Sequence, residues 1–290
     1  MLPNFFIVGA NKAGTTSLAA YLGTHPDVFM SPLKEPSYWS LRDHDDPDGP
    51  FLQRQVRDRP AYEALFTGVR GERAIGEAST NYLQTAVAAD RIRAEIPAAR
   101  IVAVLRDPSD RAFSAYNMHV GAHLEPLTDF GTAVDTELAG GTWRHYLAMG
   151  YYADALERWI GHFGPDRVRV FLYEDLVADP AAMVRETFAF LGVDPDFTPP
   201  LDRRHNVTQV PRHRSILRFA KESSPAKAAL KRVLPARARA RVKDRVTTWN
   251  TTAPPPLPPE LRARLVALYA DDIDRTEALI GRDLSAWKAD

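Results

Sequence analysis

A short loop near the start of the chain combines residue types that bind phosphate groups. Residues 9–16 form the frame Gly-x4-Gly followed by two threonines, with Lys12 inside the loop. Glycines let the main chain curl around an anion, and the N–H groups that open the next helix, with the helix dipole, attract negative charge. In the common nucleotide loop a lysine follows the second glycine, whereas here Thr15 stands there. Lys12 is therefore expected to approach the group that joins a bound phosphate to its neighbour.

A second basic position follows a buried strand further along the chain. The apolar residues 101–105 lead into Arg106, and Asp107 and Pro108 are typical N-cap and first residues of a helix. Ser114 lies about two turns into that helix. A guanidinium fork and a hydroxyl on one edge of a sheet suit a phosphate monoester. Two other interpretations stay open: Arg106 pairs with a nearby carboxylate, and Ser114 is an ordinary helix serine.

The composition excludes several classes of protein. Lys plus Arg and Asp plus Glu number 37 each, so the balance of charge favours neither a nucleic-acid binder nor a generally acidic partner, and any anion site must be local. The absence of cysteine excludes a disulfide framework, a thiolate nucleophile and a Cys-ligated metal. The first ten residues lack the basic segment of a secretory signal, and no segment approaches the roughly 18 apolar residues of a membrane span. A cytoplasmic location is therefore expected.

Strands and helices are predicted to alternate around these residues. Apolar, partly β-branched runs predict buried strands at residues 5–8, 74–78, 100–105 and 168–173. Helices are predicted at residues 15–23, from 108 onward, and at 181–191. Such alternation implies crossover connections. The predicted fold class is α/β, a P-loop-type three-layer sandwich with a central parallel sheet flanked by helices.

A single domain over residues 1–290 is predicted, with its core in residues 1–200 and a basic, proline-rich extension over 203–290. Residues 254–259 read as a stiff linker, and apolar residues from 261 to 269 at a helical period predict a closing helix packed on the sheet. Nine Lys or Arg residues lie between 221 and 245, against two acids. This basic segment is either a solvated helix face or a contact for an anionic acceptor or a membrane surface.

Two segments together resemble the sulfotransferases that use 3′-phosphoadenosine 5′-phosphosulfate (PAPS), in particular the branch of heparan sulfate and bacterial carbohydrate enzymes. Residues 11–18, Asn-Lys-Ala-Gly-Thr-Thr-Ser-Leu, look like the family's 5′-phosphosulfate loop. Residues 106–116, Arg-Asp-Pro-Ser-Asp-Arg-Ala-Phe-Ser-Ala-Tyr, look like its 3′-phosphate motif. Weaker similarity at residues 173–176 and 190–193 extends the resemblance over about the first 200 residues.

The resemblance implies PAPS as donor, adenosine 3′,5′-bisphosphate (PAP) as product, and no metal. It places donor contacts at Lys12, Ala13, Gly14, Thr15, Thr16, Ser17, Arg106, Ser114, Tyr173 and Arg212. Tyr173 would touch the adenine, with packing as the alternative role. Arg212 lies where the family has a basic loop that closes over the donor, although the family's Lys-Gly-Arg pattern is missing here.

The catalytic roles also follow from the resemblance. Residues 34–39, Lys-Glu-Pro-Ser-Tyr-Trp, are similar to the segment that supplies the base in the carbohydrate branch, so Glu35 is expected to take the acceptor proton as the oxygen attacks sulfur in line. Lys12 would neutralise charge on the oxygen between the sulfate and the 5′-phosphate. The alternative for Glu35 is a solvated pair with Lys34. The rival bases are Glu77, His119 and His123.

The acceptor is predicted only as a class, a hydroxyl of a carbohydrate, glycolipid or other small molecule. Residues 76–83 align with a segment that in heparan sulfate enzymes resembles Glu-Lys-x-x-x-Tyr, but Ala78 stands at the lysine position, which argues against a heparan-type acceptor. Glu77 is either a second base or a buried ion-pair partner. Three aromatic side chains form either a platform for a sugar or part of the core: Tyr38, Trp39 and Tyr82.

Two functions of other classes remain as alternatives. A P-loop small-molecule kinase would use ATP and Mg²⁺, yet the strand at residues 101–105 ends in Arg106 rather than in the acid that such enzymes use for the metal. A non-catalytic nucleotide-binding module would need neither a lysine in the loop nor a base. The presence of Lys12 and Glu35 beside two anion motifs argues against that module.

Overall fold

The computed structural model has a parallel sheet of five strands at its centre. The structure describes residues 1–41, 56–122, 124–127, 129–141, 144–201, 210–211, 251–252 and 254–289. The strands of the sheet are β1 Phe5–Gly9, β2 Val28–Met30, β3 Ala74–Ala78, β4 Arg100–Leu105 and β5 Val168–Leu172. Their order across the sheet is β2-β3-β1-β4-β5. The central strand β1 is fully buried, as its run of apolar residues predicts.

Helices connect the strands. Those up to the last strand of the sheet are α1 Thr15–Leu22, α2 Tyr38–Leu41, α3 Arg59–Ala64, α4 Ala86–Glu95, α5 Pro108–Ala122, α6 Phe130–Leu138 and α7 Ala153–Phe163. Those that follow are α8 Tyr173–Ala178, α9 Pro180–Leu191 and α10 Pro259–Ile280. Two short antiparallel strands, β6 Val210–Pro211 and β7 Thr251–Thr252, pair apart from the main sheet.

Helices cover both faces of the sheet. The connection from β1 to β2 and the connection from β3 to β4 cross the sheet in opposite directions, so right-handed crossovers place α1 and α4 on opposite faces. The packing agrees, because α1 contacts α9 while α4 contacts α7. The predicted fold class, a central parallel sheet flanked by helices in three layers, is confirmed.

Local signals set the ends of several elements. Helix α9 begins at Pro180 because Asp179 accepts a hydrogen bond from the N–H of Ala182 at 2.9 Å, and it ends where Gly192 turns to a φ of 76°. Strand β5 ends one residue before the predicted limit, since Tyr173 already begins α8. The limits of β3 and β4 agree with those predicted from the sequence.

The closing helix α10 exists where the sequence predicts it, but its packing differs from the prediction. It contacts α7 and α5, and α7 in turn contacts β4 and β5. Leu265, Tyr269 and Ile273 form its buried stripe, and the Tyr269 hydroxyl donates to the main-chain oxygen of Leu147 at 3.0 Å. The helix is therefore anchored on other helices rather than directly on the sheet. Among the described residues, no helix is both long and apolar enough to cross a membrane.

Candidate active site

The loop between β1 and α1 has the geometry of an anion cradle. Gly14 has a φ of 83°, and a Cβ at this position would lie 2.5 Å from the Cδ2 atom of Leu176, so only glycine fits both the turn and the contact with α8. Within the described chain, the N–H groups of Gly14, Thr15 and Thr16 have no hydrogen-bond acceptor. The N–H of Ser17 instead donates to the Gly14 oxygen at 3.0 Å. Three N–H groups at the start of α1 are thus available to an anion.

Lys12 lies in this loop with a φ of 71°, and its side chain points toward α5, where Nζ is 3.6 Å from the sulfur of Met118. Burial, and the positive charges of Arg106 and Lys34, lower the pKa of Lys12 to about 8. No carboxylate in the described ranges forms an ion pair with it. A partly desolvated ammonium group among like charges is stabilised by an anion.

Arg106 follows β4 and reaches the same loop. Its Nη1 atom donates to the main-chain oxygen of Lys12 at 3.3 Å, and its guanidinium lies 4.7 Å from the centre of the Tyr173 ring. Its Nη2 atom is 3.7 Å from Oδ2 of Asp110. Tyr152 fixes the main chain here by donating its hydroxyl proton to the Arg106 oxygen at 2.9 Å. The ion-pair alternative for Arg106 therefore accounts for only part of its contacts.

A groove of about 310 Å³ opens beside these groups. It is lined by Arg106, Asp110, Tyr173, Glu174, Val177 and Ala178. Tyr173 begins α8 and lies close to both Gly14 and Arg106, so the residue predicted to touch adenine is at the edge of the crevice. Ser114 is buried on α5. Arg212, His123 and the basic segment at residues 221–245 lie outside the described residues.

Glu35 is fixed beside the end of β3 by its main chain and its carboxylate. Its N–H donates to the Ala78 oxygen at 2.9 Å. Its carboxylate accepts the N–H of Thr80 at 2.7 Å and the Thr80 hydroxyl at 3.1 Å, and it contacts the ammonium group of Lys34. The side chain of Glu35 is 37% exposed, so an acceptor can reach it. The predicted pair with Lys34 is present, but the anchoring by Thr80 makes Glu35 more than a solvated surface glutamate.

Three neighbouring strand ends bring these groups to one edge of the sheet. β3, β1 and β4 lie side by side and parallel, so their carboxyl ends adjoin. Glu35 is attached at the end of β3, Lys12 follows β1, and Arg106 follows β4. Arg106 contacts the main chain at Lys12, and the charges of Arg106 and Lys34 both lower the pKa of Lys12. This edge is where parallel α/β sheets bind ligands.

Glu77 occupies a different environment, because its side chain is completely buried. Its carboxylate accepts hydrogen bonds from Tyr62 and Tyr82 at 2.8 Å each and from Ser79 at 2.7 Å. Burial raises the pKa of Glu77 to about 7, although the hydrogen bonds from these three donors act to lower that pKa. Its partners are hydroxyls, so it is not the ion-pair partner considered from the sequence, and the enclosing aromatic rings keep it from an acceptor.

The three aromatic residues considered as a sugar platform belong to the core. Tyr38, Trp39 and Tyr82 are exposed by 3% or less. Tyr38 stacks on Tyr62 at 4.4 Å between ring centres, and the Trp39 indole donates to the Tyr62 hydroxyl at 2.8 Å. A sugar cannot reach their faces in this arrangement, so the core interpretation holds.

The rival base His119 is also buried. Its Nδ1 atom lies 2.9 Å from the Tyr146 hydroxyl, and that hydroxyl donates to Glu125 at 2.6 Å. Burial, with the charges of Arg144 and Lys12, lowers the pKa of His119 to about 4, although Glu125 opposes the change. The imidazole is therefore part of a buried polar network and neutral near pH 7, away from any acceptor.

Some residues of the site were not predicted. Lys34 was considered only as a partner of Glu35, although its charge also acts on Lys12. Thr80 anchors the Glu35 carboxylate from 45 positions away, and Met118 contacts Lys12 from 106 positions away. Only the position of Thr80 just after a strand hinted at a role. The described residues contain no group of three or more His, Cys, Asp or Glu side chains that could hold a metal ion.

Two comparisons found similarity over most or all of the chain. The model of the family described as "Sulfotransferase domain" matches residues 2–231. The solved structure of a sulfotransferase from Alicyclobacillus acidocaldarius superimposes with a TM-score of 0.77 at 35% identity, covering 100% of both chains.

Curated relatives match a shorter part of the chain. A bifunctional heparan sulfate N-deacetylase/N-sulfotransferase 3 from Homo sapiens is 30% identical over 214 residues, which is 68% of this chain and 23% of that protein. The corresponding N-deacetylase/N-sulfotransferase 4 from Mus musculus is 29% identical over 208 residues, with the same coverage of 68% and 23%. The chain thus spans about a quarter of the length of these relatives.

Proposed function

The chain belongs to the sulfotransferase domain family, and we propose that it transfers the sulfuryl group of PAPS to a hydroxyl of a carbohydrate, glycolipid or other small molecule by in-line displacement. The observation that carries this proposal is the direct contact between the two anion-binding segments, from the Arg106 guanidinium to the main chain at Lys12. Because the segments adjoin, one adenosine carrying phosphates at both its 3′ and 5′ positions can contact both of them.

The residues of the site fit such a donor. The N–H groups of Gly14, Thr15 and Thr16 without an acceptor suit the 5′-phosphate, and the planar fork of Arg106 suits a phosphate monoester at the 3′ position. Tyr173 is placed to pack beside the adenosine. The bound donor supplies an activated sulfuryl group, so the protein needs only to orient the reactants and stabilise charge.

Lys12 stabilises the leaving side of the reaction. Negative charge grows on the oxygen between sulfur and the 5′-phosphate as that bond breaks, and a partly buried ammonium group stabilises it strongly. The Arg106 and Lys34 charges that lower the pKa of Lys12 also make the loop attractive to a polyanion. This role requires Lys12 in its protonated form.

Glu35 acts on the acceptor side. Its carboxylate is partly exposed but fixed by Thr80, so one oxygen can accept the proton of the attacking hydroxyl without losing its position. Lys34 forms an ion pair with Glu35, and its positive charge also lowers the pKa of Lys12 in the donor loop. Of the candidate bases in the described chain, Glu35 is the one with an exposed side chain, whereas Glu77 and His119 are buried.

A carbohydrate hydroxyl is the acceptor class we favour. The curated relatives are named for N-sulfation of heparan sulfate, which indicates a sugar acceptor, but they are less than a third identical to this chain. The heparan sulfate enzymes have a lysine at the position that Ala78 occupies here. Ala78 is buried and carries no positive charge that could bind a polyanionic chain. A smaller and less charged sugar acceptor agrees with this difference.

The test has two stages. Thermal unfolding is first measured with PAP and, separately, with ATP and Mg²⁺; stabilisation by PAP is expected, and stabilisation by ATP-Mg alone would replace the proposal with the kinase alternative. Transfer of labelled sulfate from PAPS to a panel of sugars, glycolipids and phenols then identifies the acceptor. Lys12→Ala is the matched inactive control, with turnover expected to fall by about 10²- to 10³-fold. PAP binding without transfer to any acceptor would indicate the non-catalytic module.

A further inference from the structure

The C-terminal segment 259–288, which contains helix α10 and the 3₁₀ turn Ser285–Lys288, lies beyond the residues that the family model matches, yet it contacts elements around the proposed donor site. Three side chains of this segment bond to elements that carry Arg106 or its neighbours. They are Arg262, Asp272 and Arg282. Each of the three bonds to a residue or helix that neighbours Arg106, so the segment also fixes the surroundings of that arginine.

The contact nearest to Arg106 in the sequence is made by Arg262 in the first turn of α10. Its Nη1 atom donates to Oδ2 of Asp107 at 3.0 Å, and its Nη2 atom donates to Oδ1 of Asp110. Asp107 caps α5 through the N–H groups of Ser109 and Asp110, at 2.8 and 3.2 Å. Arg262 thus pairs with both carboxylates at the start of the helix that follows Arg106.

Asp110 is shared between two arginines. While Oδ1 pairs with Arg262, Oδ2 is 3.7 Å from Nη2 of Arg106. Two carboxylates near a phosphate site repel a dianion and also compete with it for Arg106. The positive charge of Arg262 offsets this repulsion and holds one oxygen of Asp110, so that only the other oxygen, at 3.7 Å, lies near Arg106.

The other two contacts fix the surroundings of Arg106. Asp272 accepts the N–H groups of Tyr152 and Ala153 at 2.7 and 3.1 Å, and the Tyr152 hydroxyl in turn bonds to the Arg106 oxygen. Arg282 makes two hydrogen bonds, at 2.9 and 3.1 Å, to Asp175 in α8, the helix that begins with Tyr173. The same segment therefore holds the main chain and the aromatic neighbour of Arg106.

We propose that Arg262 is a positioning residue for the 3′-phosphate: by pairing with Asp107 and Asp110 it offsets their negative charge and weakens the competition of Asp110 with that phosphate for the Arg106 guanidinium. The inference rests on the proposed use of PAPS. It predicts an effect confined to ligands that carry a 3′-phosphate, because Arg262 acts through Arg106 and not through the 5′-phosphosulfate loop. If α10 had a purely structural role, replacing Arg262 would weaken the binding of both kinds of ligand equally.

The test compares two ligands by isothermal titration. PAP carries the 3′-phosphate, and adenosine 5′-phosphosulfate lacks it. Arg262→Gln is expected to weaken the binding of PAP by about tenfold and the binding of adenosine 5′-phosphosulfate by less than about twofold. Arg264→Gln is the matched control, because Arg264 lies on the same turn of α10 and pairs with the exposed Asp135 at 2.6 Å. Adding Asp110→Asn to Arg262→Gln is expected to restore most of the PAP affinity, since it removes the competing charge.

Each result decides between the possibilities. Wild-type affinity of Arg262→Gln for PAP, or an equal loss for both ligands, overturns the inference while leaving the proposed function intact. Failure of the wild-type chain to bind PAP overturns the proposed function and this inference with it. If Arg262→Gln does not fold, Arg262→Lys and Asp110→Asn replace it. Both are expected to keep the wild-type preference for PAP, because one retains the positive charge and the other removes the negative one, and loss of that preference in either overturns the inference.

Discussion

The guanidinium of Arg106 donates a hydrogen bond to the main-chain oxygen of Lys12 at 3.3 Å, across a separation of 94 positions in the sequence. This contact joins the end of β4 to the loop after β1, two strands that are neighbours in the sheet. It also places one positive charge close enough to another to lower the pKa of Lys12. The two segments predicted to bind anions therefore adjoin in the structure.

Replacement of Arg106 should reduce donor binding more than it reduces stability. Arg106→Ala is expected to weaken the binding of PAP by at least about tenfold, because the phosphate loses the charged guanidinium group. Arg106→Lys is expected to recover little of this affinity, since a lysine cannot form a planar, bidentate pair with a phosphate. Titration with PAP measures the effect. Arg169→Ala is the matched control, because Arg169 likewise lies over an aromatic ring, Phe190, and pairs with a carboxylate, Glu186, away from the site. Equal losses in the two variants would contradict the assignment.

Much of the fold could be predicted because its strands are buried on both faces. The runs Ala74–Ala78 and Arg100–Leu105 stand out by their apolar residues, and the structure has strands with these limits. Strand β2, Val28–Met30, was not predicted, since three residues are too few to show a pattern. Helix α10 was predicted from its periodicity, but not the helices on which it packs.

The site was predictable where function depends on local chain geometry and less so where it depends on distant contacts. The glycines around Lys12 and the N-cap at Asp107 are local signals, and both are present. The environment of Glu77 depends on Tyr62, 15 positions earlier, so the sequence left open whether it was a base or an ion-pair partner. Arg262 and Asp110 form an ion pair across 152 positions in the sequence, and no local sequence pattern predicts it.

Donor affinity should decrease at alkaline pH because of Lys12. The pKa of its ammonium group is lowered to about 8, so the group loses its positive charge as the pH rises through that value, well below the usual value of 10.5. The dissociation constant of PAP is therefore expected to increase between pH 7.5 and 9.5. Lys12→Arg should abolish this dependence, since a guanidinium stays charged throughout the range. A wild-type affinity that is constant up to pH 9.5 would be inconsistent with the proposed role of Lys12.

Stability should depend on pH through Glu77. Burial raises the pKa of this carboxyl group to about 7, compared with 4.5 when exposed, so the folded state holds more protons than the unfolded state between these values. The resulting stabilisation is fully present below pH 4.5, the pKa in the unfolded state, and is lost as the pH rises through 7. The free energy of unfolding is expected to decrease by about 3 kcal/mol over this range. Glu77→Gln is expected to flatten the decrease between pH 5 and 8 in chemical denaturation. Glu157→Gln, which removes an exposed carboxylate, is the control and should keep the wild-type dependence of the free energy of unfolding on pH. If Glu77→Gln also kept the wild-type dependence, Glu77 would not titrate in this range.

Glu35→Gln should separate catalysis from binding. The amide keeps an oxygen that can accept the N–H of Thr80, so the loop geometry is retained, but it cannot take a proton from the acceptor. We expect kcat to fall by about 10²- to 10⁴-fold while the affinity for PAP changes by less than about threefold. Glu63→Gln is the matched control, because Glu63 is also ion-paired and its side chain is 38% exposed, against 37% for Glu35. Steady-state kinetics with saturating PAPS and direct titration with PAP provide the two measurements. Full activity of Glu35→Gln would remove Glu35 as the base and, since Glu77 and His119 are enclosed, would direct the search to residues outside the described chain, among them His123.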